Sequence, residues 1–144
     1  MLISGIKGTS LIDYPGKIAM VIYTSKCNFR CPFCHNGDLA AGKAVSAISI
    51  QEVIEETEKR RGFIDAVVIT GGEPTLHNDL IDMIIRLKQN GMLIKLDTNG
   101  SRPEIIEKLI TERCIDYIAM DIKTSWSKYS LASGVDADTE RIAS

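Results

Sequence analysis

Several features are missing from this sequence, and each absence argues against a class of protein. The formal net charge is only −2 and the longest basic run is residues 59–61, so no nucleic-acid surface is indicated. The chain does not begin with a basic segment followed by an apolar core, which argues against a signal peptide. No apolar run approaches the roughly 20 residues that cross a bilayer. We therefore expect a cytoplasmic protein that binds neither nucleic acid nor membrane.

The chain has only four cysteines, and three of them are clustered. In the cytoplasm such cysteines favour a metal or redox site over disulfide bonds. The spacing Cys27-x3-Cys31-x2-Cys34 allows three thiolates to converge on one small inorganic core. A [4Fe–4S] cube normally takes one cysteine per iron, so three ligands would leave one iron open. Cys114 lies just before a predicted strand, and we interpret it as a buried structural thiol.

Strand-like and helix-like segments alternate along the chain. Apolar, β-branched segments predict strands at 18–24, 66–70, 93–97 and 115–121. Helices are predicted from Ser49, over about 79–90, from about 102, and from 138 or 139. Ser49 and Ser101, each with a glutamate three residues later, are predicted capping boxes. Four β-then-α units indicate an α/β fold with a parallel sheet.

The length suits a single domain spanning 1–144, with residues 1–17 as an N-terminal extension. The chain stops about six residues into the last predicted helix. We therefore expect either a fragment of a longer protein or a short form whose sheet stays open.

Three other readings of the cysteine loop are open from these residues alone. Cys31-x-x-Cys34-His35 matches a haem attachment string, although no export signal accompanies it. Cys31 and Cys34 could instead form a glutaredoxin-like redox pair. The three cysteines with His35 could also hold a structural zinc ion.

The motif Cys27-x3-Cys31-x2-Cys34, with Phe33 before its third cysteine, resembles the signature of the radical S-adenosylmethionine (SAM) superfamily. Gly71-Gly72-Glu73-Pro74 resembles the second motif of that superfamily. The segments 11–16, 34–36, 97–100 and 121–123 resemble those of glycyl-radical-enzyme activases. Among these, the likeness is nearest to the activators of anaerobic ribonucleoside-triphosphate reductase, with pyruvate formate-lyase activases next.

This resemblance implies a partial (β/α) barrel with about four core parallel strands and outer helices, where the full family barrel has six units. It also implies a [4Fe–4S] cluster on the three cysteines and SAM chelated to the open iron. The reduced cluster would cleave SAM to methionine and a 5′-deoxyadenosyl radical, which removes hydrogen from a glycine of a partner enzyme. The implied partners are a glycyl radical enzyme, anaerobic ribonucleotide reductase in particular, and a flavodoxin- or ferredoxin-like electron donor.

The resemblance also implies which residues meet SAM. Gly71 and Gly72 would let the backbone approach it, and Glu73 would accept from its amino group. The others are Phe33 near the adenine, Thr98 and Asn99 near the ribose or carboxylate, and Lys123 as the partner of the carboxylate. Each has an ordinary structural alternative, namely a tight turn, simple packing or a solvated side chain.

Three further residues, one histidine and two aromatic residues, are interpreted from their positions in the sequence alone. His77 is expected to start a helix rather than bind a ligand, and Trp126 and Tyr129 are expected to pack.

The candidate cluster and SAM residues all lie at the carboxyl ends of predicted strands, where parallel α/β proteins collect their active groups. Asp97 and Asp121 would face the SAM carboxylate, with Lys123 as the only cation counted among them. The excess of negative charge predicts a monovalent or divalent cation held by both aspartates and SAM. Two rival functions are a radical SAM enzyme with a small-molecule substrate, such as a deazaguanine synthase, and a non-catalytic iron–sulfur or zinc module.

Overall fold

The computed structural model describes residues 1–43 and 47–144. Its strands are β1 Ile3–Ser10, β2 Ala19–Thr24, β3 Ala66–Gly71, β4 Leu93–Thr98 and β5 Tyr117–Met120. Its α-helices are α1 Gly37–Ala40, α2 Ile50–Lys59, α3 Leu80–Gln89, α4 Pro103–Thr111, α5 Tyr129–Ser133 and α6 Thr139–Ala143. Short 3₁₀ turns cover Pro74–Leu76 and Trp126–Lys128. Among the described residues, no helix is long and apolar enough to span a bilayer.

One five-stranded sheet has the order β1-β2-β3-β4-β5. The pairs β2–β3, β3–β4 and β4–β5 are parallel. This arrangement confirms the predicted α/β fold, in which four parallel strands alternate with helices. The four strands place their carboxyl ends at one edge of the sheet, and that edge carries the candidate site.

Residues 1–17 were expected to be an extension outside the sheet, but residues 3–10 form a strand, β1, that pairs antiparallel with β2. The sequence signal was weak because β1 is an edge strand with two glycines, Gly5 and Gly8, and mostly half-buried positions. Such strands lack the continuous apolar run of a strand covered on both faces. The extension therefore contributes a strand and a main-chain partner to the barrel sheet.

The helix signals were mostly confirmed. Ser49 accepts from the backbone of Glu52, and Glu52 in turn accepts from the Ser49 backbone, completing the predicted capping box. The capping box predicted at Ser101 is wrong, because α4 begins at Pro103 and its N-cap residue, Arg102, makes no side-chain cap. Proline suits that first position because its missing N–H would have no partner in the helix.

Two apolar clusters cover the two faces of the sheet. The main core packs α2, α3 and α4 on one face, through residues such as Val53, Met83 and Leu109. The opposite face carries a smaller cluster of Tyr14, Ala19, Val21, Ala66 and Val68. At β5, an edge strand of the sheet, two large apolar side chains are exposed, Tyr117 by 43% and Met120 by 39%.

Candidate functional site

The carboxyl ends of β2, β3, β4 and β5 surround one cavity of about 420 Å³. This volume lies in the usual range for small-molecule sites. All twelve residues predicted to bind the cluster or SAM line it: Cys27, Cys31, Phe33, Cys34, Gly71, Gly72, Glu73, Asp97, Thr98, Asn99, Asp121 and Lys123. The remaining lining residues are Phe29, His35, Asn36, Ala40 and Thr70. The topology therefore gathers residues from four separate loops at one place.

Backbone contacts hold the cysteine loop from two sides. The Cys27 amide donates to the carbonyl of Ala40 at the end of α1, at 3.0 Å. On the other side the Arg30 amide donates to the carbonyl of Ser133, at 2.7 Å. Gly134 lies against Arg30 with a φ of +69°, and a Cβ there would overlap the Arg30 carbonyl. The segment at α5 therefore supports the cysteine loop, a role that no sequence signal indicated.

Burial sets the protonation of two thiols. It raises the pKa of Cys27 chiefly by desolvation, although the amide of Phe29 donates to its sulfur at 3.3 Å and acts in the opposite direction. Burial also raises the pKa of Cys31, against the lowering effect of the Lys123 charge. Both thiols therefore favour the protonated state in the protein alone, and metal binding must release their protons.

Glu73 organises the loops around the cavity rather than presenting a free carboxylate. It is only 1% exposed. Its Oε1 accepts from the Thr75 amide at 3.1 Å and from the hydroxyls of Thr75 at 2.5 Å and Thr98 at 2.7 Å. Its Oε2 accepts from the Asn99 amide at 2.7 Å. Oε1 is therefore fully used by the protein, and Oε2 alone retains capacity for a further donor.

We expect Glu73→Gln to destabilise the cluster-free chain by about 2 kcal/mol, because a buried charge-assisted hydrogen-bond network is lost. In a chain of this size that loss lowers Tm by about 6 °C. The glutamine amide has one acceptor oxygen, and its NH₂ would face an N–H or hydroxyl donor. Thermal unfolding measures the change, with exposed Glu107→Gln on α4 as the control. Equal melting temperatures for the two variants would show that the network contributes nothing.

The two glycines before Glu73 are required by neighbouring backbone. Gly71 has a φ of +113°, and a Cβ there would overlap the backbone of Thr24. A Cβ on Gly72 would overlap the carbonyl of Lys26. The Gly72 amide donates to the Thr24 carbonyl at the end of β2, and the Glu73 amide donates to the Lys26 carbonyl, each at 2.8 Å. The segment after β3 therefore contacts the backbone next to Cys27. The close approach to SAM that was predicted at these glycines stays a prediction, and the contacts seen here are with protein backbone.

Asn99 joins the third loop to the cysteine loop. Its Nδ2 donates to Asn28 Oδ1 at 2.9 Å and lies 3.8 Å from Cys27 Sγ. Asn28 in turn donates to the Ser101 hydroxyl at 2.8 Å. Thr98, whose hydroxyl donates to Glu73, is 4% exposed. Asn28 and Ser101 were missed as site residues because nothing in their local sequence pairs them.

The strand ends carry one more positive charge near the two aspartates than was expected from the sequence. Lys123, which was expected to partner the SAM carboxylate, is paired here with Asp121. Burial disfavours the Lys123 ammonium, but the hydrogen bond and charge of Asp121 outweigh it and raise the lysine's pKa. Lys123 is not the only cation, since Lys95 Nζ lies 2.6 Å from Asp97 Oδ1. Each aspartate thus has its own lysine, and the charge excess that predicted a cation is reduced by one.

The residues predicted to be structural lie where packing places them. Cys114 is 9% exposed in the main core, and burial raises its pKa. The expectation that His77 starts a helix is wrong, because α3 begins at Leu80 and His77 ends the first 3₁₀ turn, with Nε2 2.9 Å from the Ser25 carbonyl. Tyr129 is fully buried, its ring 6.3 Å from that of Phe29 and 5.3 Å from that of Trp126.

The donor set fits a cluster better than a single ion. Among residues 1–43 and 47–144, no three His, Cys, Asp or Glu side chains are grouped to hold one metal ion. Tetrahedral zinc, with bonds of about 2.3 Å, requires sulfurs packed closely around one point. A cube with one thiolate on each iron accepts more widely spread sulfurs. Three cysteines around one cavity, with Cys34 exposed, match the second requirement.

Fold and site together define an α/β half-barrel with a three-cysteine loop and a cavity at the carboxyl ends of its strands. A family model of the Radical SAM superfamily matches residues 21–143, and the chain belongs to this superfamily.

Sequence relatives narrow this class. A Methanocaldococcus jannaschii protein, named as a candidate glycyl-radical enzyme activating enzyme, is 43% identical over 89% of this chain and 52% of its own length. The pyruvate formate-lyase-activating enzyme of Listeria monocytogenes is 34% identical over 84% of this chain and 52% of its own. A 7-carboxy-7-deazaguanine synthase of Halobacterium salinarum is 34% identical over 60% of this chain and 33% of its own.

Solved structures agree on the fold. The structure of TYW1 with a lysine-pyruvate adduct bound has a TM-score of 0.58 and 21% identity, covering 86% of this chain and 49% of that one. At this identity the likeness concerns the fold alone. The chain spans about half the length of the first two sequence relatives.

Proposed function

We propose that this chain forms the SAM-cleaving part of a glycyl-radical-enzyme activase. The observation that carries the proposal is the single cavity in which three cysteines meet residues from the other three strand ends. The two sequence relatives above that cover the largest shares of this chain are both named as activating enzymes, which supports the same function. The reaction proposed is hydrogen removal from a glycine of a partner protein.

The residues that line the cavity can each be given a role in binding the cluster or SAM. Cys27, Cys31 and Cys34 would hold a [4Fe–4S] cluster, leaving one iron for SAM. When bound, cluster and SAM supply one-electron cleavage of SAM to methionine and a 5′-deoxyadenosyl radical. Lys123, facing the cavity, offers an ammonium to a ligand carboxylate. Phe33, 55% exposed at the cavity, offers a ring edge and backbone to an adenine.

Other residues of the site hold its loops in position. Glu73 holds the loop that carries Thr98 and Asn99, and Asn99 holds Asn28 beside Cys27. Such contacts keep the loops in one arrangement before a ligand arrives, which lowers the ordering cost of binding. Gly71 and Gly72 allow this arrangement because a Cβ on Gly71 would overlap Thr24 at the end of β2, and one on Gly72 would overlap Lys26 next to Cys27.

For the partner we propose a glycyl radical enzyme, and anaerobic ribonucleotide reductase in particular. Exposed apolar side chains near the cavity, Phe33 at 55% and Ile122 at 49%, suit contact with an inserted protein loop. A flavodoxin- or ferredoxin-like protein would supply the electron. We propose the cytoplasm as the compartment, because thiols remain reduced there.

Anaerobic reconstitution with iron and sulfide tests the proposal. The reduced protein should convert SAM to 5′-deoxyadenosine and produce a glycyl radical, seen by electron paramagnetic resonance, in anaerobic ribonucleotide reductase. Pyruvate formate-lyase serves as the second partner, and a radical there alone would reassign the partner. A cluster that forms without SAM cleavage would instead support the non-catalytic module.

A small-molecule radical SAM reaction is the second candidate. The deazaguanine synthase among the relatives favours it, over a shorter share of this chain. Product formation from the synthase's substrate, without a partner protein, would distinguish it from the activase.

A further inference from the structure

Lys95 and Asp97 form a charge pair on β4, beneath the cavity. They are two residues apart in one strand and therefore share a face of the sheet. Lys95 Nζ donates to Asp97 Oδ1 at 2.6 Å. The Lys95 side chain is 10% exposed and that of Asp97 32%, so the lysine lies deeper. Asp97 lines the cavity, and Lys95 lies behind it.

Aromatic rings keep the lysine in this place. Tyr117 of β5 pairs with Lys95 in the register, and its ring centroid lies 6.0 Å from Nζ. The Tyr14 ring, 7% exposed, lies 5.9 Å from that of Tyr117. An ammonium at this distance from an aromatic face is attracted by the ring. The buried lysine therefore has two partners, the Asp97 carboxylate and the Tyr117 ring.

This arrangement alters the charge balance of the cavity. Without Lys95, the carboxylates of Asp97, Asp121 and SAM would face Lys123 alone, and an added cation would be favoured. With Lys95 included, three carboxylates face two lysines, one bonded to each aspartate. Asp97 then has less negative charge to offer a cation, and one of its oxygens is already occupied by an ammonium.

We propose that Lys95 is a built-in countercharge that positions Asp97 and takes the place of the cation predicted from the sequence. The inference rests on the proposed SAM site. SAM binding by this chain is then indifferent to which small cation is present, and removal of the Lys95 charge creates the cation requirement.

The test measures SAM affinity of the reconstituted chain in potassium, sodium, magnesium and choline chlorides at constant ionic strength. Wild type should show the same Kd within about twofold in every salt. Lys95→Met keeps the length of the side chain and removes its charge. Its affinity should fall about tenfold in choline, equivalent to about 1.4 kcal/mol, and recover with at least one small cation.

Lys7→Met is the matched control. Lys7 also belongs to a strand and forms a lysine–aspartate pair, with Asp13 at 3.4 Å. Its strand, β1, is the edge strand on the side of the sheet opposite β5. Its loss should leave SAM affinity and the salt series unchanged. A cation dependence of tenfold or more in wild type would overturn the inference, as would a Lys95→Met series identical to that of wild type.

Thermal unfolding of the cluster-free chain separates this inference from the proposed function. Lys95→Met should lower Tm because it leaves a partly buried carboxylate unpaired, and Lys95→Met/Asp97→Asn should restore most of the loss. A chain that binds no SAM would defeat the proposed function, and with it the cation arm of the inference. Equal Tm values for wild type, the single variant and the double variant would show that Lys95 does not compensate Asp97.

Discussion

Replacing Cys27, Cys31 or Cys34 with alanine is expected to abolish assembly of the [4Fe–4S] cluster. Each substitution leaves two thiolates for four irons, and a cube with two irons lacking a protein ligand is not retained. The three side chains line one cavity, and no fourth cysteine lies among its lining residues. Iron content should therefore fall from about four per chain to near zero in each variant.

Cys114→Ala is the matched control, because this cysteine packs in the main core away from the cavity. It should retain full iron and lose about 1 kcal/mol of stability through the removed sulfur contacts. Iron and sulfide assays with the visible absorption of the cluster measure the outcome. Equal iron loading in wild type and Cys31→Ala would contradict the assignment, and so would loss of iron in a folded Cys114→Ala protein.

Gly72→Ala is expected to disrupt both the fold near the cavity and cluster assembly. The added Cβ would overlap the Lys26 carbonyl, and the hydrogen bonds from the Gly72 and Glu73 amides, each 2.8 Å, leave the two segments no room to separate. Overpacking of this kind costs about 3 kcal/mol, which lowers Tm by about 9 °C. Displacing Lys26 also moves Cys27, so iron loading should fall with stability.

Gly37→Ala provides the comparison, since a Cβ there meets no atom within 4 Å. Gly37 begins α1, where alanine is the better helix former, so stability should be equal or higher. Thermal unfolding and iron content are measured for both variants. A Gly72→Ala protein with the Tm and iron content of Gly37→Ala would show that the backbone contact is not a constraint.

Much of the architecture could be predicted from the chain because its signals are local. The apolar segments of β2, β3 and β4 are covered on both faces, and the boundaries predicted from them differ by at most one residue at either end. The helix signals at Ser49 and at Asp138 involve neighbouring residues, and both caps are present. β1 was missed because an edge strand covered on one face has no continuous apolar run.

The candidate site also has features that could be predicted from the sequence and features that could not. The three cysteines and Gly71-Gly72-Glu73-Pro74 are recognisable as motifs, and the parallel topology explains why all the predicted residues line one cavity. Their individual contacts were less predictable. Glu73 was expected to meet SAM, yet its Oε1 is taken by Thr75 and Thr98, which approach it from different loops. Lys95 was not counted because nothing local shows that it bends toward Asp97.

From the sequence alone one can therefore predict the alternation of strands and helices, the cysteine loop and the edge of the sheet that carries the candidate site. These features depend on periodicity and on spacing within a few residues. The folded chain was needed to show which charges are paired, which carboxylate oxygens are free and which atoms the glycines contact. Those properties arise between residues such as Gly72 and Lys26, or Tyr129 and Phe29, which are far apart in the chain. Packing brings them together, and no local pattern encodes such a distance.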